Sequence, residues 1–326
     1  MVLIKSKRIW PLYIPPQNDE LFSSWVCRLA YEHQVKVYTF LKIYFADNIN
    51  YLARNVDLIK PSEVLNTLLN HTPLNAYEID NLFLTTYEGH VFEKNTYNTY
   101  TQGIIPLGIS NQKRKNFGTL YCPKCLSKKF PYFKKKWRLT TSITCVECKT
   151  RLKDRCDKCK RPIAYHLNNL SGNISDILYP QSLRFCQCGH DLSIISIYDM
   201  PPTEIEIEYQ NFMDKTINNG YNHITQYSFL FLEGFNLLVK KYLHNCKNNR
   251  LRESLTKKLK RKNLPSGKKD LGLWSLEERR LAILDIYTLF KDYPHSLNVF
   301  LIENKIYKSY IRNNNNYPFW LIDNMI

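Results

Sequence analysis

Eight of the ten cysteines fall between Cys122 and Cys188, as Cys122-x-x-Cys125, Cys145-x-x-Cys148, Cys156-x-x-Cys159 and Cys186-x-Cys188. A two-residue gap lets one tight turn present two thiolates to a single ion, and tetrahedral zinc takes four such soft ligands. Eight thiols therefore suit two closed zinc sites per chain, with no position left open for a catalytic water. Sequential pairing puts Cys122, Cys125, Cys145 and Cys148 on one ion and Cys156, Cys159, Cys186 and Cys188 on the other. A crossed pairing, with Cys145 through Cys159 on one ion, satisfies the same spacing, and His190 could stand in for Cys188. Disulfides are the competing use of paired thiols, and a reducing cytosol argues against them. Cys27 and Cys246 stand alone and read as ordinary buried or half-buried cysteines.

Positive charge gathers around these thiols. The chain carries a formal charge of +17 over 326 residues. Residues 111–161 hold 17 Lys and Arg against 3 Asp and Glu, and residues 247–269 hold 10 against 1. A four-cysteine zinc site carries a formal charge of about −2, so part of the local excess offsets thiolates. The remainder is expected to face outward, because Lys134, Lys135 and Lys136 in sequence should not all turn inward. Segregated basic patches favour a polyanion partner, nucleic acid ahead of membrane. The candidate contacts are Lys113, Arg114, Lys115, Lys134, Lys135, Lys136 and Arg138 in the first patch. In the second they are Arg250, Arg252, Lys257, Lys258, Lys260, Arg261 and Lys262.

The elements that must carry these residues are mostly helical. In "NDELFSSWVCRLAYEH", Leu21, Trp25 and Leu29 recur every four residues on one apolar face, with Asn18 and Asp19 as cap candidates. "VYTFLKIYFA", "PSEVLNTLLN" and "NAYEIDNLFLTTYE" read as three further helices, the last with a capping box from Asn75 to Glu78. After the cysteine-rich stretch, "EYQNFMDKTINN" and "YSFLFLEGFNLLVKKYLHNC" lead into a basic arm. "SLEERRLAILDIYTLF" then opens with a capping box from Ser275 to Glu278, and "PHSLNVFLIEN" follows. In "KIYKSYIR", Lys305, Lys308 and Arg312 share one helical face, the order expected of a helix-turn-helix reader. The fold class expected is mainly α and multi-domain. Helix-turn-helix-like domains over 1–110 and 201–326 would flank a double zinc-binding, zinc-ribbon-like domain over 111–200.

Several classes are disfavoured. Glycine is scarce, at 10 residues, and no Walker or dinucleotide loop is present. Neither a Gly-x-Ser-x-Gly elbow nor a His-Glu-x-x-His helix occurs, and the thiol pairs lack the His-x-Glu partner of zinc deaminases. No catalytic residue is assigned, and a zinc-dependent nucleic-acid enzyme is the remote alternative. The first residues do not read as a signal peptide, and no apolar run is long enough to span a bilayer, so a cytoplasmic, nucleoid-associated location is expected.

The chain resembles the TniQ (TniQ/TnsD) family of transposon target-selection proteins. The resemblance rests on "PPQNDELFSSWVCRLA", "LYCPKCL", "YFKKKWRLTTSITCVEC", "RLKDRCDKCKRPI" and "CQCGHDL", in order and spacing. Family members commonly carry His where this chain has Cys148, and cysteine binds zinc equally well. "ERRLAILDIYTLFKDYPHSLNVFLI" and "YPFWL" look like TnsD-type endings. The resemblance implies a non-enzymatic adaptor with zinc as cofactor. It would mark an insertion site on DNA and recruit TnsC, an AAA+ ATPase, which brings the transposase. Some members read DNA directly, and others dock as a dimer on a CRISPR Cascade complex with its guide RNA.

Overall fold

The computed structural model describes residues 9–45, 55–94, 101–110, 113–168, 182–197, 199–307 and 318–323. The N-terminal helices are α1 (Phe22–Glu32), α2 (Val37–Phe45), α3 (Val56–Ile59), α4 (Ser62–His71) and α5 (Ala76–Asp80). Among the described residues, the cysteine-rich region carries short pieces, including β1 (Ile109–Ser110), β2 (Lys113–Arg114), α6 (Pro123–Leu126), β3 (Thr144–Cys145) and β4 (Thr150–Arg151). The C-terminal helices are α7 (Glu204–Asn219), α8 (Ser228–Leu243), α9 (Arg250–Lys258), α10 (Leu276–Tyr287), α11 (His295–Glu303) and α12 (Phe319–Asp323). The chain is thus mainly helical around a middle region built on two antiparallel ribbons, β1–β2 and β3–β4. No described helix is long and apolar enough to cross a membrane.

The first helix is the centre of the N-terminal packing. Nine of its eleven residues are buried, Ser23, Ser24 and Cys27 among them, so it has core on nearly every side rather than one apolar face. Its opening donors are not capped by Asn18 or Asp19. The Phe22 N–H donates to the Leu82 carbonyl and the Leu21 N–H to the Phe133 carbonyl, each at 2.9 Å. Tertiary carbonyls satisfy the orphan donors that a side chain normally would. Asp19 instead turns left-handed (φ 59°), and its carboxylate accepts the Lys136 N–H. The expected helix after Asn75 is shorter than its apolar pattern. Its capping box forms, but α5 stops at Asp80 and a separate 3₁₀ turn follows over Leu84–Tyr87.

The middle region is bolted to both helical regions by buried polar contacts. Ser24 Oγ donates to Glu20 (2.8 Å) and accepts the Phe133 N–H (3.0 Å). Ser23 Oγ donates to Asp57 and lies 2.6 Å from the Tyr165 hydroxyl. Toward the C-terminal helices, Gln210 Oε1 of α7 accepts the N–H groups of Ile143 and Thr144, and the Tyr209 hydroxyl donates to the Thr141 carbonyl. Glu206 binds Arg151 (2.8 Å) and Arg280 (2.9 Å). Asp154 accepts the Leu276 N–H that opens α10. The boundary expected at residue 110 falls inside the β1–β2 ribbon, whereas that at 200 falls in the loop before α7.

The C-terminal helices follow the sequence pattern closely. Capping boxes open α7 at Thr203 and α10 at Ser275. Trp320 of α12 lies against Gly234 of α8, where a Cβ would stand 2.4 Å from the indole, and its Nε1 donates to the Leu230 carbonyl. Only a glycine in α8 leaves room for that ring. The basic arm departs from expectation: it contains α9, which buries Leu251 and Leu255. The helix expected from Lys305 does not start there. Lys305 is left-handed (φ 50°) and ends α11, with the Ile306 N–H reaching back to the Leu301 carbonyl. Lys308 and Arg312 lie outside the described residues.

Candidate metal centres

Each thiol pair sits on a turn pinned by the backbone. In the first group, Cys122 is the N-cap of α6, and Pro123 at its first position needs no hydrogen-bond donor there. Cys145 ends β3, and the turn to β4 carries Cys148. In the second group, Cys156 follows the Arg155–Pro162 bridge and Cys186 follows the Phe185–Asp191 bridge. Three of the four turns close on a left-handed residue just past the second cysteine: Lys149 (φ 47°), Lys160 (φ 58°) and Gly189 (φ 76°). Their N–H groups return to the carbonyls of Val146, Cys156 and Cys186. Turn N–H groups also point at sulfur, from Cys148 to Cys145, from Cys159 and Lys158 to Cys156, and from Cys188 to Cys186. Donors aimed at sulfur favour the thiolate that a metal requires.

The structure gathers the eight cysteines into two groups in the sequential arrangement, with the ligand atoms of each group all within 4.8 Å of one another. Neither group contains a histidine. Cys125 Sγ lies 3.7 Å from Cys145 and 3.4 Å from Cys148. Cys156 and Cys188 are 3.7 Å apart, and Cys159 and Cys186 are 3.8 Å apart. A tetrahedron with Zn–S arms of about 2.3 Å has edges of about 3.8 Å, so these gaps match a four-thiolate zinc site. None of the ten cysteines forms a disulfide, and the gaps far exceed a disulfide bond of about 2.05 Å. Crowding makes the thiols depend on a cation. Hydrogen bonding to Cys125 and Cys145 pushes the Cys122 thiol up, while hydrogen bonds from Cys122 and Cys125 hold the Cys145 thiol down. Four thiols this close cannot all ionise against one another, whereas a divalent ion stabilises all four thiolates.

The groups differ in depth. Cys122, Cys125 and Cys145 are buried and Cys148 is half-buried, whereas in the second group only Cys156 is fully buried. The lone cysteines also differ from each other: Cys27 is buried in α1, as expected, but Cys246 is exposed.

The basic candidates divide sharply. Against expectation, Lys134 and Lys135 are buried and Lys136 is half-buried. They line a cleft of about 800 Å³ bounded by Asp19, Glu147 and Asp214. Lys134 holds Glu147 at 2.6 Å, and Lys136 lies 3.4 Å from Glu147 and 3.5 Å from Asp214. Lys135 donates to Thr86 and sits over the Tyr87 ring, and burial pushes its pKa down. Arg138 is buried, bonding Asn55 and the Ile105 carbonyl beside Asp57. Spacing alone could not show this, because the carboxylates come from α7, the approach to α1 and the turn before β4. Lys115 is exposed, and Lys113 and Arg114 form β2.

In the second patch, two arginines are structural. Arg252 reaches the carbonyls of Tyr242, Leu264 and Pro265, and Arg261 grips Asp285 beneath the Tyr242 hydroxyl. Arg250 bonds the Lys305 carbonyl. Lys257, Lys258, Lys260 and Lys262 are exposed, with Lys258 over the Phe300 ring. The acidic bolts Asp57, Asp154, Glu206 and Asp285 are the site-supporting residues that the pattern did not single out. Their only sequence signal is an isolated carboxylate within a basic or apolar stretch.

No curated protein matches the chain. The model of the TniQ family matches residues 11–152, from the approach to α1 through the first four-cysteine group to the end of β4. That segment, which holds the buried serine, lysine and cysteine contacts just described, is where the chain is similar to the TniQ family.

Proposed function

We propose that this chain is a non-enzymatic target-selection adaptor for DNA transposition, holding two structural zinc ions and joining target DNA to the transposition machinery. The observation that carries the reading is the TniQ segment over residues 11–152, closed by a four-thiol group with tetrahedral spacing. Cys122, Cys125, Cys145 and Cys148 would hold one ion, and Cys156, Cys159, Cys186 and Cys188 the other. When bound, zinc supplies charge and geometry and no open coordination position. The protein's own part is positional: the middle region bonds both the N-terminal helices and α7.

The partners of this reading are DNA, the AAA+ ATPase TnsC and, where a guide RNA chooses the site, a Cascade complex on which two copies dock. The test is reconstitution. The full chain, incubated with TnsC and labelled duplex DNA, is expected to bring the ATPase onto DNA. Retention of TnsC only when Cascade is added selects the docking mode, and retention without Cascade selects direct DNA binding. Failure to retain the ATPase in either arm, or metal-dependent cleavage of the DNA, overturns the reading.

A further inference from the structure

Lys134, Lys135, Lys136 and Arg138 are taken up by partners within the fold, so the candidate polyanion contacts are the lysines that stay exposed. The C-terminal end of α9 carries one cluster of them. There the helix closes in a Schellman turn: the Lys260 N–H donates to the Lys257 carbonyl and the Arg261 N–H to the Thr256 carbonyl. Lys260 occupies the left-handed position of that turn (φ 51°), where glycine is the unstrained residue. The reversal wraps Lys257, Lys260 and Lys262 around a hollow of about 630 Å³ that Asn249 and Thr256 also line. Glu253 is the one carboxylate among the described lining residues. All three lysines are exposed, and no described carboxylate lies within ion-pair distance of any of them. The hollow is also held in place. Arg252 pins its inner wall to three carbonyls, and Arg261 pins the returning chain to Asp285 of α10.

We propose that this hollow is a phosphate cradle in which Lys257, Lys260 and Lys262 grip the backbone of duplex DNA, with Arg252 and Arg261 as positioning residues. The assignment rests on the DNA-contacting reading above and deepens it by locating the contact. The geometry that carries the assignment is three exposed lysines converging on one hollow whose walls Arg252 and Arg261 fix.

The test is the salt dependence of binding to a short labelled duplex, measured by fluorescence anisotropy over roughly 50–200 mM salt. The triple variant Lys257→Gln, Lys260→Gln, Lys262→Gln is expected to lower the magnitude of the log–log slope by about 2.7, at about 0.9 per phosphate contact. Lys134→Gln, which removes a carboxylate-paired lysine, is expected to leave the slope unchanged. Lys260→Gly alone is expected to raise the Tm while weakening binding, a combination that a purely structural lysine would not give. A steep wild-type slope that the triple variant retains overturns the cradle and leaves DNA contact standing. A wild type with no salt-sensitive duplex binding overturns the underlying reading. If the triple variant loses binding to a single-stranded RNA of the same length but keeps the duplex, the proposed partner is wrong.

Discussion

Cys148 is the least buried thiol of the first group and sits 3.4 Å from Cys125 at the edge of the tetrahedron. An imidazole can replace a thiolate there without entering the core. Cys148→His is expected to keep two zinc per chain by elemental analysis, and Cys148→Ala to lower the content toward one. Glu206 is the other residue on which much depends, since it binds both Arg151 and Arg280 while itself only 1% exposed. Burial pushes its carboxyl up, but hydrogen bonds from Arg151, the Thr203 N–H and Arg280 hold it below its ordinary value of 4.5. A depressed carboxyl contributes stability that is fully present above about pH 4.5 and is lost as pH falls through the lower folded-state value. Glu206→Gln is expected to cost about 2–3 kcal/mol at neutral pH, because two arginines lose their charge partner. Denaturant titrations from pH 6 to about 3 should show the wild type losing more stability than the variant across that range.

At the scale of elements, the two cysteine groups are built alike but set at different depths. The first lies under α6 and the β3–β4 ribbon with three buried thiols, and the second rests on two isolated bridges with three half-buried ones. A chelator is therefore expected to remove zinc in two phases, the first leaving the Cys122 group loaded. Metal release followed with a colorimetric indicator, with Cys186→Ser abolishing the fast phase, checks the order. Helix α9 offers a second test. The sequence presents it as a charged arm, but Leu251 and Leu255 are 4% and 0% exposed. Leu255→Ala is expected to destabilise the C-terminal region by about 3 kcal/mol, as read from hydrogen exchange of α8 and α9. A solvated arm would show no change.

For the whole molecule, the cysteine scaffold is a hub, because α1, α7 and α10 all bond to it. Serines 23 and 24 tie α1 to Tyr165 and Phe133, and Gln210 and Asp154 tie the scaffold to α7 and α10. The metal-loaded chain is expected to contain two zinc, and full chelation should unfold the N-terminal helices along with the middle region. Trp25 and Trp137, both essentially buried, report that event as a red shift in fluorescence. Loss of metal with both indoles still buried would show that the helices stand without the hub.

The sequence determined by itself what depends on local spacing. Cys-x-x-Cys pairs, the capping boxes at Asn75 and Ser275 and the apolar spacing of α1 and α2 all act over a few residues, and each was legible as a metal site or a helix. It left the pairing of the thiol pairs open, because crossed and sequential sets satisfy the same turn chemistry. Tertiary structure decided that, and it decided the fate of the charges. Lys134, Lys135 and Lys136 look like a solvated run until Asp19, Glu147 and Asp214 arrive from distant parts of the chain to receive them. Lys257, Lys260 and Lys262 look the same in sequence, yet no described carboxylate meets them. A lysine's role is fixed by the charge that folding brings within a few ångströms of it, and that distance is not encoded in local spacing.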